Sequence, residues 1–438
     1  AVRIIRAARE LGLRTIAVYS AADAGSLATQ LADEALPIGA SQASKSYLNV
    51  DAILGAAAAS GAGAVHPGYG FLSENAAFAE AVTAAGMVFV GPSAEAIRTM
   101  GDKATARAAA QRAGVPTVPG SEGVIAAVED AVAVAARIGY PVMIKAAAGG
   151  GGRGIRVASD EASLRREMAT AQAEASAAFG NGAVYLERCI ARARHIEVQI
   201  LGDGQEVVHC FERECSLQRR RQKIWEEAPS PAIDAATRTR LCESAVRLAR
   251  AVRYSGAGTL EYLLDEATGE FFFIEMNTRI QVEHPITEMV TGIDLVREML
   301  RIARGEPLRL KQTDIQLRGT AIEVRINAEN PAKNFFPSPG TVTTLRLPGG
   351  PGVRFDSMLF AGYQVSPFYD SLLGKLIVHD ENRASAIARM ARALDELQIE
   401  GVTTTRALHR LLAASPEVRC GAFHTGFIES WLSQQALE

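Results

Sequence analysis

The sequence predicts a multidomain protein of mixed α/β and α+β class, on three observations. Its 438 residues suggest about three domains at ~150 residues each. The first hundred residues alternate helical and strand patterns, a βαβ rhythm that implies a parallel sheet. Beyond them, strands joined by tight Gly/Asp turns and a strand-rich stretch closed by helices imply a mixed sheet-plus-helix C-terminal part.

In chain order, a helix is predicted over Val2 to Leu11, a strand over Thr15 to Tyr19, a helix near Val50 to Ala59 and a strand over Met87 to Val90. The first element is thus a helix with no strand ahead of it. An Ala-rich helix from Asp102 to Gly114 is closed by Val115-Pro-Thr-Val-Pro-Gly120, punctuation that suits a boundary or hinge. A helix over Val124 to Ile138 leads into a strand from Pro141 to Lys145. After a glycine run come a strand at Ile155 to Ala158, a long helix from Asp160, and strands at Ala183 to Glu187, Arg194 to Leu201 and Glu206 to Phe211. Thr259 to Leu264 and Phe271 to Glu275 flank the turn Asp265 to Gly269 as a hairpin. Short strands dominate from Arg318 to His379, and three helices follow from Arg383.

Composition narrows the function. Lys+Arg 46 against Asp+Glu 49 gives a net charge of -3, which excludes nucleic-acid binding through a whole-molecule basic field. No stretch approaches the ~20 apolar residues of a membrane helix, so a soluble, cytoplasmic protein with no membrane partner is expected. Five cysteines without a C-x-x-C pair read as reduced thiols.

The loudest local signal is Gly149-Gly150-Gly151-Gly152-Arg153-Gly154, whose backbone N–H groups can approach a polyphosphate closely. Gly149, Gly151 and Gly154 satisfy G-x-G-x-x-G, but a strand and not a helix follows, against a dinucleotide fingerprint. No Gly-Lys-Ser/Thr follows either, which leaves a strand-to-strand lid. Only seven residues are Lys, and three sit beside other chemical signals. Lys103 follows Met100-Gly-Asp102 at a helix start, Lys145 ends the strand before the lid, and Lys223 closes Arg219-Arg-Arg-Gln-Lys223. A compact ammonium suits phosphate oxygens.

From Phe273 to Pro285 polar groups recur at every second residue. In extended chain they share one face. Glu275 and Asn277, with Glu261 nearby, supply the hard oxygens that Mg²⁺ prefers; Arg279 and Glu283 extend the row as an anion clamp and a base. His284, before Pro285, reads as structural and Cys215 as a bystander.

Five phrases together resemble the ATP-grasp superfamily and, within it, the biotin carboxylases: His66-Pro-Gly-Tyr-Gly-Phe-Leu-Ser-Glu-Asn75, Met100 to Lys103, Lys145 with the glycine lid, Glu212-Arg-Glu-Cys-Ser-Leu-Gln-Arg219, and Glu275 to Pro285. The similarity covers essentially the whole chain. It implies a Rossmann-like domain over 1–101, an ATP-grasp body over 102–317 with a mobile lid at about 118–190, and a biotin carboxylase C-terminal domain over 318–438. It also implies a strand ahead of Ala1, which this sequence lacks. By the resemblance Lys103 and Lys145 contact ATP phosphates, Gly151 and Gly152 close over them, and Glu187, Arg188, Cys189 and Ile190 hold the adenine edge. His195, Gln218 and Arg221 lie near the ribose and phosphates. Glu261, Glu275 and Asn277 match the ligands of Mg²⁺ or Mn²⁺, with Glu261 and Glu275 also on the ATP side. Lys223, Arg279, Gln281 and Val282 match a bicarbonate pocket, Glu283 its base, and Arg325 and Tyr69 the biotin side. Arg221 departs from a common His, and Arg188-Cys189 from a common Lys-Tyr. The implied partners are a biotin carboxyl carrier protein or domain, a carboxyltransferase, and a second copy of the chain through Arg6, Glu10 and Arg354. No biotinylation motif occurs, so biotin is expected to arrive on another chain or domain.

Overall fold

The computed structural model describes residues 1–146, 155–179 and 182–435; the glycine run, with Gly151 and Gly152, lies outside them. The N-terminal strands pair in parallel, Ile16–Ser20 with Glu34–Gly39 and Ala64–Val65 with Val88–Phe89. They form two separate two-stranded sheets rather than the single one expected.

A three-stranded sheet forms a small unit of its own. Strands Ile155–Ala158, Val142–Ala146 and Val184–Arg188 lie side by side in that order, and helices Val128–Ile138 and Glu161–Phe179 cover them. Val142, Ile144, Val184 and Leu186 are wholly buried against Ala131, Ala135, Leu164 and Met168, the period-2 and period-3.6 patterns meeting in one core. The first helix starts at Val128, four residues later than expected: Ile125 is drawn instead into a bridge with Val184. A seam at Pro119–Ser121 joins this unit to its connector. Arg188 N–H donates to Pro119 O (2.8 Å) and Ser121 N–H to Leu186 O (2.9 Å). Gly120 sits so close that a Cβ there would lie 2.4 Å from Leu186 O. Gly120→Ala is therefore expected to cost about 1–3 kcal/mol at the seam and to speed amide exchange across Val184–Arg188 by about tenfold or more; unchanged protection there would refute the contact.

The largest element is an eight-stranded antiparallel sheet. Its order is Phe271–Asn277, Ser255–Asp265, Ala193–Asp203, Val207–Arg219, Gln222–Ala228, Thr320–Asn327, Leu372–Asp380, Val353–Ser357. It runs unbroken across residue 317. Gln222–Ala228, which nothing in the sequence reading anticipated, joins its two halves. Helices Lys103–Arg112 and Ala235–Ala251 cover one part through Ile196, Val198, Leu260 and Tyr262. Helices Arg383–Glu396, Arg406–Ala414 and Phe427–Leu432 cover the other through Trp225, Ile322, Val324 and Leu376. Among the described residues the C-terminal region holds four helices rather than three, because Pro416 at the first helical position starts the short helix Pro416–Cys420, and a strand Gln398–Glu400 intervenes.

One correction bears on the site. The row of polar residues from Glu275 does not continue as strand to Glu283: the strand ends at Asn277 and a helix runs over His284–Thr291. Pro285 fits the helix's first turn, where no N–H is needed. His284 Nδ1–H donates to Gln281 O (2.7 Å) and fixes the turn between. No helix among the described residues is long and apolar enough to cross a membrane.

Candidate active site

Strand alternation sets the floor of the site. Glu261 and Glu275 face each other in register on adjacent antiparallel strands, and Glu197 faces Glu261 from the other side. Lys223, at the start of the strand Gln222–Ala228, reaches over this floor. Its Nζ donates to Glu197 Oε2 (2.5 Å), Glu283 Oε1 (2.7 Å) and Glu261 Oε1 (2.9 Å), so all three ammonium protons are used. Burial opposes its charge, but Glu197, Glu261 and Glu283 outweigh that and hold its pKa well above the ordinary lysine value.

Glu283 is 2 % exposed and sits between two cations, because Arg325 Nη2 donates to its Oε2 at 3.0 Å. Burial alone would raise its pKa; Lys223, Arg325 and Arg213 reverse the sign and drive it far below the carboxylate range. Arg325 Nε donates in turn to buried Glu226 (2.7 Å). Its main-chain oxygen is held by Thr405 Oγ1 (2.9 Å) and His409 Nε2–H (2.8 Å).

On the other side Gln281 and Asn277 donate to Glu261 Oε1, each at 2.9 Å. Arg279 Nη2 donates to Asn277 Oδ1 (2.8 Å) and its Nε to Glu74 (2.9 Å). His195 Nε2 lies 3.0 Å from Glu261 Oε2 and its Nδ1 accepts from Gln218 Nε2 (3.0 Å). Burial disfavours the imidazolium, but Glu261 overrides it and raises the His195 pKa. The main-chain oxygen of Val282 accepts from Lys375 Nζ (2.5 Å).

Lys223, Glu261, Glu283, Arg325, His195, Gln218, Asn277, Arg279 and Gln281 thus form one hydrogen-bonded chain. Lys145 stands apart, bonded to Glu187 Oε2, with Arg107 3.6 Å from the same carboxylate. Arg188 lies over the Phe272 ring (5.1 Å), and Arg188, Cys189 and Ile190 line a cleft of about 330 Å³ with Tyr140 and Asp265. Lys103 begins the helix capped by Asp102, whose carboxylate accepts from Thr105 N–H (2.8 Å). Arg221 is exposed on the turn between two long strands, in left-handed backbone. Tyr69 is 42 % exposed in the turn between Gly68 and Gly70. Cys215 is buried among carboxylates, and burial, reinforced by Glu197, pushes its thiol far up, so it stays a neutral bystander.

The oxygen donors fit a divalent cation. Like charges opposite each other in a sheet are destabilising, so the Glu261–Glu275 pair, with Asn277 two residues on, suits a hard ion between them and phosphate oxygens. A tighter cluster, His195, Glu197 and Glu261, has ligand atoms within 4.8 Å of one another, but Lys223 already bonds two of the three.

Four participants have no role assigned from the sequence: Arg213 and Glu74, which lie within phrases that carry the resemblance, and Glu197 and Glu226, which lie outside them. Arg213 is wholly buried and donates to Glu197 (2.6 Å), Gln199 (2.8 Å), Thr287 (2.9 Å), Thr259 (3.2 Å) and Gln281 (2.7 Å).

Comparison with known proteins gives the chain's relatives. Residues 1–97 match "Biotin carboxylase, N-terminal domain", 102–311 "Carbamoyl-phosphate synthase L chain, ATP binding domain", and 323–430 "Biotin carboxylase C-terminal domain". A biotin carboxylase of Nostoc sp. is 54 % identical over 430 residues, 98 % of this chain and 96 % of that protein. The crystal structure of a Campylobacter jejuni biotin carboxylase in a βγ-ATP complex superposes with a TM-score of 0.92 at 47 % identity, over 98 % of this chain and 96 % of that one. The biotin carboxylase domain dimer of Hydrogenobacter thermophilus 2-oxoglutarate carboxylase, solved with MgADP, ADP and bicarbonate, superposes with a TM-score of 0.91 at 46 % identity, covering 99 % and 96 %. With similarity of this extent from end to end, the chain belongs to the biotin carboxylase family.

Proposed function

We propose that this chain carboxylates biotin, using ATP and bicarbonate, as the first half-reaction of a biotin-dependent carboxylase such as acetyl-CoA carboxylase. The observation that carries this reading furthest is Glu283 bridged between Lys223 and Arg325: a carboxylate placed to take a proton, between two cations placed to hold anions.

In this reading Lys223, Arg279, Gln281 and Val282 N–H hold bicarbonate, and Glu283 removes its proton. A carboxylate gripped by two cations is a poor base, each unit of pKa depression being worth about 1.4 kcal/mol. Anions drawing Lys223 and Arg325 toward themselves raise its proton affinity at the moment it is needed. The bicarbonate oxygen then attacks the γ-phosphate and carboxyphosphate forms. Lys103, Lys145 and Arg221 balance charge on the phosphates, His195 and Gln218 lie near the ribose and phosphates, and Glu187 to Ile190 hold the base. Mg²⁺ or Mn²⁺, carried by Glu261, Glu275 and Asn277, supplies further neutralisation at the phosphate oxygens when bound. Carboxyphosphate breaks down to CO2 and phosphate, the phosphate takes the ureido N1′ proton of biotin beside Tyr69, and Arg325 stabilises the oxyanion. Gly151 and Gly152 belong to the lid that excludes water. The units 1–101, 102–317 and 318–438 are the Rossmann-like, ATP-grasp and C-terminal domains. The partners are a biotinylated carrier, a carboxyltransferase and a second copy of the chain; Arg354, bonded to Glu288 (2.8 Å) and Asp356, is a fixed feature on which that copy would dock.

The test is ATP cleavage with Mg²⁺ and bicarbonate, with and without free biotin. Stimulation by biotin is expected. Turnover indifferent to both biotin and bicarbonate would overturn the reading.

A further inference from the structure

Glu226 and Glu323 are both 0 % exposed and stand directly opposite each other on adjacent antiparallel strands, which sets their Cβ atoms about 4.5–5.5 Å apart on one face. Glu226 Oε1 accepts from Arg325. Its Oε2 and both oxygens of Glu323 have no hydrogen-bond partner among the described residues. Three orphaned carboxylate oxygens in a buried interior are costly, and two such carboxyls cannot both ionise. A proton held on one of them removes one of the two buried charges.

We infer that Glu323 is a positioning residue which stores a proton opposite Glu226 and, by passing it across, loosens the hold of Glu226 on Arg325. The O–H bond of Glu323 breaks and one forms on Glu226 Oε2; the negative charge moves from Glu226 to Glu323, and no proton enters or leaves. The destination is prepared, because the strongest cation acting on Glu323 is Lys375, on the next strand over. Charge thus shifts from the Arg325 side to the Lys375 side. Arg325, relieved of one partner, turns toward the ureido oxygen.

The groups that face the pair agree. Burial raises the Glu226 pKa to about 7, with Arg325 opposing, Glu283 adding and Lys223 opposing. Burial raises Glu323 well above the carboxylate range, Lys375 opposing most, Glu226 adding, Arg325 opposing less than Lys375, and Glu283 adding. Asp356 lies 4.0 Å from Lys375.

This inference rests on Arg325 facing biotin, and the test separates the two. In Glu323→Gln the amide can neither hold nor pass a proton. Biotin-dependent ATP cleavage is expected to fall by about 10-fold to 10²-fold more than biotin-independent cleavage, with Glu323→Asp restoring part of the difference. The infrared band of a protonated carboxyl, present in the unmodified protein at about pH 8 though an ordinary glutamic acid titrates near ~4.3, is expected to vanish in the same variant. Equal loss of the two activities overturns the inference, and so does absence of the band from the unmodified protein, a measurement that needs no variant to fold. Arg325→Ala is assayed alongside. If it keeps its biotin stimulation, the Arg325 assignment falls and the inference with it; if it loses stimulation while Glu323→Gln does not, the proton pair alone falls.

Discussion

Glu283→Gln is expected to lower bicarbonate-dependent ATP cleavage by about 10²-fold to 10⁴-fold, the range that a positioned general base supplies. The two side chains are nearly isosteric, so the loss reads chemistry rather than packing. Glu283 accepts from Lys223 at 2.7 Å and from Arg325 at 3.0 Å. The amide oxygen keeps one of these bonds, while the amide N–H₂ points donors at the other cation. A second effect follows from the same loss: without the base no carboxyphosphate forms for biotin to react with, so biotin stimulation disappears along with the basal rate. Steady-state cleavage at saturating ATP, with and without biotin, checks both. A loss of less than tenfold would place the base elsewhere.

How far the site was legible depends on where in the chain its polarity was sought. The alternation from Phe273 to Glu283 predicts one extended row and does mark the site, yet only as far as Asn277 is it strand. Arg279, Gln281 and Glu283 arrive through a turn and a helix start, which alternation cannot distinguish from strand over so few residues. The same rule applied to His195-Ile-Glu197-Val-Gln199 would have exposed a second buried polar face, since Ile196 and Val198 pack in the core while Glu197 and Gln199 point at Arg213. That stretch was read only as a strand. Arg213 itself carried no local signal: its partners come from four separate segments, and nothing in Glu212-Arg213-Glu214 says that this arginine is dry. The strand Gln222–Ala228 was missed because Lys223, Glu226 and Glu227 make it look solvated, whereas Glu226 and Glu227 are fully buried. In the fold, long periodic helices and the hairpin about Asp265 to Gly269 were legible; the union of the sheet across residue 317 was not, because register between distant strands leaves no trace in a single sequence.

Arg213 is where stability and catalysis meet, and Arg213→Met is expected to destabilise the protein by about 3–5 kcal/mol, the cost of stripping one partner from a buried ion pair. All five of its N–H donors are used. Methionine fills much of the volume and satisfies none of them. Arg213→Lys is expected to rescue little, since three donors on one atom cannot span Glu197, Gln199 and Gln281. Urea unfolding followed by tryptophan fluorescence, to which Trp225 on the strand next to Val207–Arg219 contributes with Trp431, measures the effect; a shift below about 1 kcal/mol would mean that the network is not what holds these strands. The functional consequence follows from Glu197, whose two oxygens serve Arg213 and Lys223 separately. Freed of Arg213, Glu197 turns its full charge on Lys223 and draws the ammonium down from Glu283, so ATP cleavage per folded molecule drops as well. The double variant Arg213→Met with Glu197→Gln removes the stranded charge. It is expected to recover more than half of the lost stability but none of the lost activity, because Lys223 then has one anchor fewer. Recovery of both together would show that Arg213 acts on catalysis only through folding, and recovery of neither would show that Glu197 is not the partner that matters.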